Sequence, residues 1–266
     1  MPELPEVETI KRDLEKVILG KKITEVCVHN PAVIREPAVS GFKRGLEGEV
    51  IKNVLRRAKV LILELSGGKS LVMHLKMTGQ LVYPGGGKNS RVAFHFSDGK
   101  TLDFNDQRLF AELRLLDDWH SLKFIQNLGP EPVDLNFKQF KEMLNAKKSM
   151  IKPLLMDQAF IAGIGNLYAS EILFKAKISP ERRVNTLRDF EKGLLFKAIN
   201  DILNAAVRHA GSSIDDYVRL SGEKGGYVKY HKVYGRAGKP CLICKSIIKK
   251  ITQGGRGTYF CPKCQK

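Results

Sequence analysis

No run in this 266-residue sequence approaches the roughly 18 consecutive apolar residues that a membrane span needs, so a transmembrane helix is excluded. The opening Met1-Pro2-Glu3-Leu4-Pro5-Glu6 also lacks the basic-then-apolar order of a secretory signal, and the expected location is the cytoplasm. Acidic side chains are scarce: 28 Asp and Glu face 45 Lys and Arg, a formal charge of +17 that calls for a polyanionic partner. The shortage is sharpest at the end, where residues 221–266 hold one acidic and 11 basic side chains, whereas residues 1–130 hold 16 and 20. Cysteine is limited to five, four of them in that basic segment, which argues against a disordered solvated arm. No internal repeat is visible, and a hydrophobic fraction of 43% is that of a folded chain.

Cys241-Leu-Ile-Cys244 and Cys261-Pro-Lys-Cys264 are two C-x2-C pairs with 16 residues between them, the spacing of a structural zinc site. Four thiolates close a tetrahedral shell and leave no position for substrate, so the expected Zn2+ is scaffold. Two disulfides are the alternative, disfavoured in a cytoplasmic protein. Between the pairs, residues 246–252 and 257–260 are rich in β-branched and aromatic types and flank Gln253-Gly254-Gly255-Arg256, which predicts a hairpin whose tip presents Arg256. Cys27, in a short β-like run, is expected to be a small buried apolar residue.

Pro5 and Glu6 suit the first turn of a helix whose Val7, Ile10, Leu14, Val17 and Ile18 share one face and whose end Gly20 marks. From 23 to about 116 the pattern favours short strands, including 60–65, 70–74, 92–96 and 113–116, divided by Gly67-Gly68, Gly85-Gly86-Gly87 and Asp98-Gly99. Turns at that frequency predict a β-sandwich. The pattern breaks near Gly129-Pro130-Glu131-Pro132, and helical periodicity follows. The expectation is a multidomain α+β protein: an N-terminal β-sandwich with flanking helices over 1–130, a hinge at 131–136, a helical domain over 137–220, and a zinc-stapled hairpin within 221–266. In the helical part, Gly163-Ile164-Gly165 precedes a helix capped by Asn166, a start that offers backbone N–H groups to a phosphate. Plain turn chemistry accounts for the same residues, and Lys147, Lys148 and Lys152 nearby favour the phosphate.

Four regions in order resemble the bacterial formamidopyrimidine-DNA glycosylase family, essentially from end to end. They are Met1-Pro2-Glu3-Leu4-Pro5-Glu6-Val7-Glu8-Thr9; Arg56-Arg57-Ala58-Lys59 with His74-Leu75-Lys76-Met77-Thr78-Gly79; Ile151-Lys152-Pro153 through Ser170-Glu171, similar to the helix-two-turns-helix motif; and the hairpin with Gly255-Arg256-Gly257-Thr258. The resemblance implies a glycosylase and abasic-site lyase of base excision repair, acting as a monomer on damaged double-stranded DNA. By resemblance Pro2, freed of Met1, is the nucleophile and Glu3 the general acid/base, with Glu6 as active-site support. An α-amino group titrates near pH 7.7–8.0, so a useful neutral fraction exists without heavy tuning. Helix entry alone also favours Pro and acids at these positions.

The resemblance further makes Lys59 a catalytic contact beside the lesion, where a solvated strand edge is the plainer reading. His74, Asn166 and Arg256 match phosphate ligands and Lys152 joins that DNA-binding set, although a histidine ending a strand is often structural. Met77 and Phe110 match wedges that fill the hole left by an extruded base, against simple core packing, and Arg108 matches the residue that bonds the widowed cytosine. Here the chain departs from the family: Asp106-Gln107-Arg108-Leu109-Phe110-Ala111 replaces the usual Asp-Pro-Arg-Arg-Phe-Gly, which leaves the loop's shape open. Residues 221–227, rich in glycine, match the segment that closes over the purine and are expected to be mobile without lesion DNA; a flexible linker would read the same. Two further readings stand beside this one. The sister group resembling endonuclease VIII prefers oxidised pyrimidines, and a non-catalytic DNA binder would need only the hairpin and the basic face.

Overall fold

The computed structural model describes residues 1–87, 90–214 and 216–266. The chain divides into two compact units, one of Met1–Gln126 with Val207–Val228, the other of Asn127–Ala206 with Lys229–Lys266.

The first unit opens with α1 (Leu4–Ile18), entered through Pro5 and burying Leu4, Val7, Ile10, Leu14 and Ile18 on one face. Gly20 takes a φ of +77° just past its end, a backbone shape that a side chain disfavours. Strands β1 (Ile23–Val28) and β2 (Ile34–Glu36), helix α2 (Val39–Arg44), and strands β3 (Ile51–Arg57), β4 (Val60–Leu65), β5 (Ser70–His74), β6 (Gly79–Val82), β7 (Ser90–Phe96), β8 (Thr101–Asp106) and β9 (Glu112–Leu116) follow, then α3 (Lys123–Gln126). They form a four-stranded sheet in the order β1-β7-β8-β6 and a five-stranded sheet in the order β2-β9-β5-β4-β3. Val26, Phe94 and Phe104 of one sheet and Leu61, Leu63, Met73 and Leu113 of the other share a single core with α1, which is the predicted sandwich. The outer face of the larger sheet is capped by Trp119, Leu122, Phe124 and Ile125.

Residues 207–228 belong to this unit although they follow the helical stretch. Tyr217 and Leu220 enter the core, Tyr83 N–H donates to Leu220 O at 2.8 Å, and the Arg219 guanidinium holds both oxygens of Asp13 at 3.1 and 3.2 Å. The compact units part after Gln126, ahead of the composition break, because Gly129 N–H donates to Gln158 O and Ala162 N–H to Pro130 O at 2.8 and 2.9 Å.

The second unit holds α4 (Phe137–Asn145), α5 (Ile151–Met156), α6 (Asn166–Ala176), most of α7 (Asp189–Arg208), and the antiparallel pair β10 (Lys249–Gln253) and β11 (Arg256–Phe260). Phe174 of α6 packs with Val233, Ile248 and two of the cysteines, so the hairpin is seated on the helix. Among the described residues, no helix is long and apolar enough to cross a membrane.

Candidate functional site

Pro2 and Glu3 are both buried at the start of α1, with Glu3 as its extended N-cap residue. Glu6 fixes that start from two sides. Its Oε2 accepts the Glu3 N–H and its Oε1 accepts the Ser212 N–H, each at 2.8 Å, which ties the first residues of the chain to the returning segment. Gly211, with a φ of +73°, lies so close that a Cβ there would stand 2.9 Å from Glu6 Cγ. Glu6 thus does more than favour helix entry. The glycine-rich segment 221–227 is bonded at its far end to the same stretch: Gly225 N–H donates to Ser213 Oγ, Gly226 N–H to His209 O and Tyr227 N–H to Gly211 O, at 2.8 to 2.9 Å. At Gly225 a Cβ would meet Ala210 O at 2.3 Å, so close approach requires glycine there.

Lys59 sits in the two-residue turn that joins Arg57 to Val60, preceded by Ala58 at a φ of +52°, and it is buried, unlike a solvated edge residue. Arg56 braces this turn, donating through Nη1 to Ala58 O at 3.0 Å and through Nε to Glu8 on α1 at 2.8 Å. Burial pushes the Glu8 carboxyl up, but hydrogen bonds from Arg56 and Arg12 prevail and hold it below the usual range. His74 pairs with Val60, and its Nδ1 accepts the Lys76 N–H at 3.0 Å, which leaves the ring proton on Nε2. Burial foremost, then the Lys76 charge, with Lys59 adding and Glu112 opposing, lowers its pKa to about 4. His74 is therefore a neutral donor at physiological pH.

His231, buried in the second unit, is likewise lowered to about 4 by burial. Both histidines titrate below an unfolded-state value near 6.5, so the unfolded chain binds protons that the folded chain refuses. Their stabilising effect is complete above that value and is lost as pH falls toward 4. Denaturant midpoints are expected to drop between about pH 7 and pH 5, and a His74→Gln, His231→Gln double variant should flatten that part of the profile. An unchanged slope in the double variant would refute the assignment.

Asp106, at the end of β8, organises two turns at once. It is buried, its Oδ1 accepts the Thr78 hydroxyl and the Arg108 N–H (3.2 Å), and its Oδ2 accepts the Ala111 N–H at 2.7 Å. The turn bearing Met77 and the loop bearing Arg108 and Phe110 are thus locked together. Met77 and Phe110 are 41% and 49% exposed, which rules out core packing, and the Arg108 guanidinium lies 4.8 Å from the Phe110 ring centroid. Leu109, in the left-handed region at a φ of +57°, turns its side chain onto the core. Ala111 is buried and has no left-handed φ, so alanine meets the backbone requirement where glycine is usual. The altered loop keeps Arg108 and Phe110 outward for these reasons. Replacing Asp106 by Ala takes the acceptor from the Thr78 hydroxyl and the Ala111 N–H and leaves the Arg108 N–H only its longer bond to Thr78 Oγ1, and is expected to lower the unfolding free energy by about 2–4 kcal/mol. Arg108→Ala and Phe110→Ala, at exposed positions, should change it by less than about 1 kcal/mol; urea titration of the three variants separates these outcomes.

In the second unit Lys152 is buried, with Nζ donating to Asn166 Oδ1 at 2.5 Å and Thr258 Oγ1 at 2.8 Å. Asn166 Nδ2 donates in turn to Gly257 O at 3.0 Å. Lys152 and Asn166 therefore brace α5, α6 and β11 against one another. Asn166 does not cap α6 as its position predicts; the N-cap is Gly165, and Asn166 is the first helical residue, its side chain drawn toward the hairpin. Lys147 and Lys148 are exposed. Arg256 is exposed opposite Gln253 across Gly254 and Gly255, whose φ values of +56° and +71° suit a tight hairpin turn. Glu171, which carries no local sequence signal, accepts the backbone N–H groups of Lys232, Val233 and Tyr234 at 2.8 to 3.0 Å and fixes the approach to the hairpin.

The four cysteines of the hairpin converge, each thiol sulfur within 4.8 Å of the others. Cys241 and Cys264 sulfurs are 3.9 Å apart and those of Cys244 and Cys261 3.4 Å, near the ~3.8 Å edge of a tetrahedron with Zn–S bonds of about 2.3 Å. All are free thiols, and the Ile243 N–H points at Cys241 Sγ from 3.4 Å. The set fits one structural Zn2+ and not two disulfides. Cys27 departs from expectation: it is half-buried, with Sγ 3.5 Å from Glu25 Oε1.

Three family models match successive stretches: the formamidopyrimidine-DNA glycosylase N-terminal domain over residues 1–113, the helix-two-turns-helix domain of the same glycosylases over 128–218, and the zinc finger found in these proteins and in isoleucyl-tRNA synthetases over 238–266. Their order defines a zinc-finger DNA glycosylase of the helix-two-turns-helix class. The chain is 43% identical to the formamidopyrimidine-DNA glycosylase of Pelotomaculum thermopropionicum, covering 100% of this chain and 99% of that one. It is similar to a Lactococcus lactis variant of that glycosylase solved with DNA containing Fapy-dG (36% identity, TM-score 0.91, 100% of both chains). It is also similar to a MutM protein solved with DNA containing carbocyclic 8-oxo-G (37% identity, TM-score 0.89, 100% of both chains). The chain belongs to the formamidopyrimidine-DNA glycosylase family.

Proposed function

We propose that the protein is a bifunctional DNA glycosylase and abasic-site lyase that excises oxidised purines, 8-oxoguanine and formamidopyrimidines, from double-stranded DNA. The observation that carries this reading is the pair Pro2 and Glu3, buried together at the head of α1 in a chain similar to the family over its whole length. A binding protein has no use for that pair.

Extruding the damaged base costs a few kcal/mol, which binding to the strand must offset. Pro2, once Met1 is removed, attacks the sugar C1′ as the bond to the base breaks. Its amine is secondary, so the product is a tertiary amine that opens the sugar to a cationic iminium. The positive end of α1 disfavours the protonated amine and so keeps it nucleophilic. Glu3 protonates the ring oxygen as the sugar opens. The iminium acidifies the C2′ proton; its loss expels the 3′ phosphate by β-elimination, and δ-elimination then expels the 5′ phosphate.

Lys59, buried and close enough to depress His74, serves the phosphate at the lesion, with His74 donating from Nε2. Met77 and Phe110 fill the vacated stack and Arg108 bonds the widowed cytosine. Lys152 holds Asn166 in place for the damaged strand, and Arg256 forks two bonds to one phosphate. Glu6 supports the site by joining Glu3 to the stretch beneath segment 221–227, which closes over the purine. Cys241, Cys244, Cys261 and Cys264 hold the structural Zn2+. The enzyme works as a cytoplasmic, nucleoid-associated monomer.

Incubation with duplexes bearing an oxidised purine or an oxidised pyrimidine, with borohydride added, tests this directly. A reduced adduct mapping to Pro2, formed preferentially with the purine duplex, is expected, together with an intact mass lacking Met1. Preference for the pyrimidine duplex would transfer the protein to the endonuclease VIII-like activity, and the absence of any adduct would end the lyase reading.

A further inference from the structure

The smaller sheet of the first unit carries a group of ligating side chains that the reaction does not use. Glu25 and Cys27 of β1 alternate with Val26, which is fully buried, so both stand on the face turned away from the core. The antiparallel register sets Glu25 opposite His95 of β7 and Cys27 opposite Ala93. One ligating atom from each of Glu25, Cys27 and His95 lies within 4.8 Å of the other two. The His95 ring is already oriented, with Nδ1 3.0 Å from Thr101 Oγ1 on β8, in the way that metal-ligating imidazoles are held through their other ring nitrogen. Two further charged groups neighbour the thiol: Glu47, which accepts the Val26 N–H at 3.1 Å, and Lys43, whose ammonium is 3.8 Å from Glu47 and offset by it.

One sulfur, one imidazole nitrogen and one carboxylate oxygen form a mixed donor set suited to a borderline-soft divalent cation, and three protein ligands leave a fourth tetrahedral position for water. A thiolate and a carboxylate supply two negative charges, matching the cation. We propose that Glu25, Cys27 and His95 bind one divalent cation of the zinc class, independently of the four-cysteine hairpin. On binding, the Cys27 thiol releases its proton to solvent and forms the metal–sulfur bond. Because β1 is an edge of its sheet among the described residues, the cation clips an edge strand to its neighbour β7.

The test uses the full-length, zinc-loaded protein titrated with Co2+, with zinc content followed by mass spectrometry to detect exchange at the hairpin. Wild-type protein is expected to take up one additional cobalt per chain, with the charge-transfer absorption of a single cobalt–thiolate bond and no loss of zinc. Cys27→Ser and His95→Ala should weaken this uptake at least tenfold while excising damaged bases at the wild-type rate. A second measurement needs no variant: carboxymethylation of Cys27 should slow at least fivefold when Co2+ is present. Absence of a second equivalent, survival of the absorption band in Cys27→Ser, or an unprotected Cys27 would each overturn the proposal.

Discussion

Glu3→Gln is expected to lower excision of 8-oxoguanine by about 10²- to 10⁴-fold, the usual weight of a positioned general acid/base. The substitution is informative because the proton delivery proposed for Glu3 is separable from its place at the start of α1. As the N-cap residue of α1 it takes part in a reciprocal capping box with Glu6, and a Gln side chain retains an oxygen for that bond. Stability should therefore change by less than about 1 kcal/mol, the typical worth of a cap. Only the ability to deliver a proton disappears. Single-turnover excision, urea denaturation and binding to a duplex with an uncleavable abasic analogue would be measured together. A loss of activity matched by a loss of stability or binding would assign Glu3 to the helix alone.

Removing the metal is expected to have the second large effect. Structural zinc in isolated fingers contributes about 10–16 kcal/mol at neutral pH, more than the hairpin's small core can replace. That core consists of Phe174, Val233, Ile248, the half-buried Tyr259 and the cysteines themselves, so Cys261→Ser or a strong chelator should release β10 and β11. Arg256 then loses its turn, and Lys152, buried against Thr258 and Asn166, loses one partner for its ammonium. Affinity for a lesion duplex should fall by about 10²-fold or more, and the dependence on salt should become shallower by roughly one unit of slope for each phosphate that is no longer neutralised. Fluorescence anisotropy across a salt series reads both quantities. Full affinity with the metal stripped would show that the hairpin grips nothing.

The elements that depend on neighbours in sequence are legible without the structure. The α1 face of Val7, Ile10 and Leu14, the strands at 60–65 and 70–74, and the four-cysteine hairpin all follow from periodicity or spacing over a few residues. What escapes depends on partners far along the chain. Asp106 reads as an ordinary loop acid, yet it gathers donors from Thr78, Arg108 and Ala111 because β6 and β8 pair at Gly79 and Asp106. Arg56 and Glu171 act in the same manner, as charged groups whose bonds span 48 and about 60 residues. Asn166 shows the opposite failure, where a good local rule for capping loses to a lysine 14 residues upstream. Residue type alone places Cys27 inside; strand alternation puts Val26 there instead.

The bond between Glu6 and Ser212 joins residues 206 positions apart, as does the pairing of Asp13 with Arg219. On a ribosome adding about 5–20 residues per second, the helix that follows Pro2 therefore emerges roughly 10–40 s before the segment that completes its unit. During that interval Tyr217 and Leu220 are missing from the core they are to fill, and Glu6 lacks the Ser212 N–H that it accepts in the finished unit. A chain that stops before residue 207 lacks this segment altogether. The first unit, although it begins the chain, therefore lacks part of its core until synthesis has passed residue 228, and the end that carries Pro2 and Glu3 is among the last parts of the protein to be fully packed.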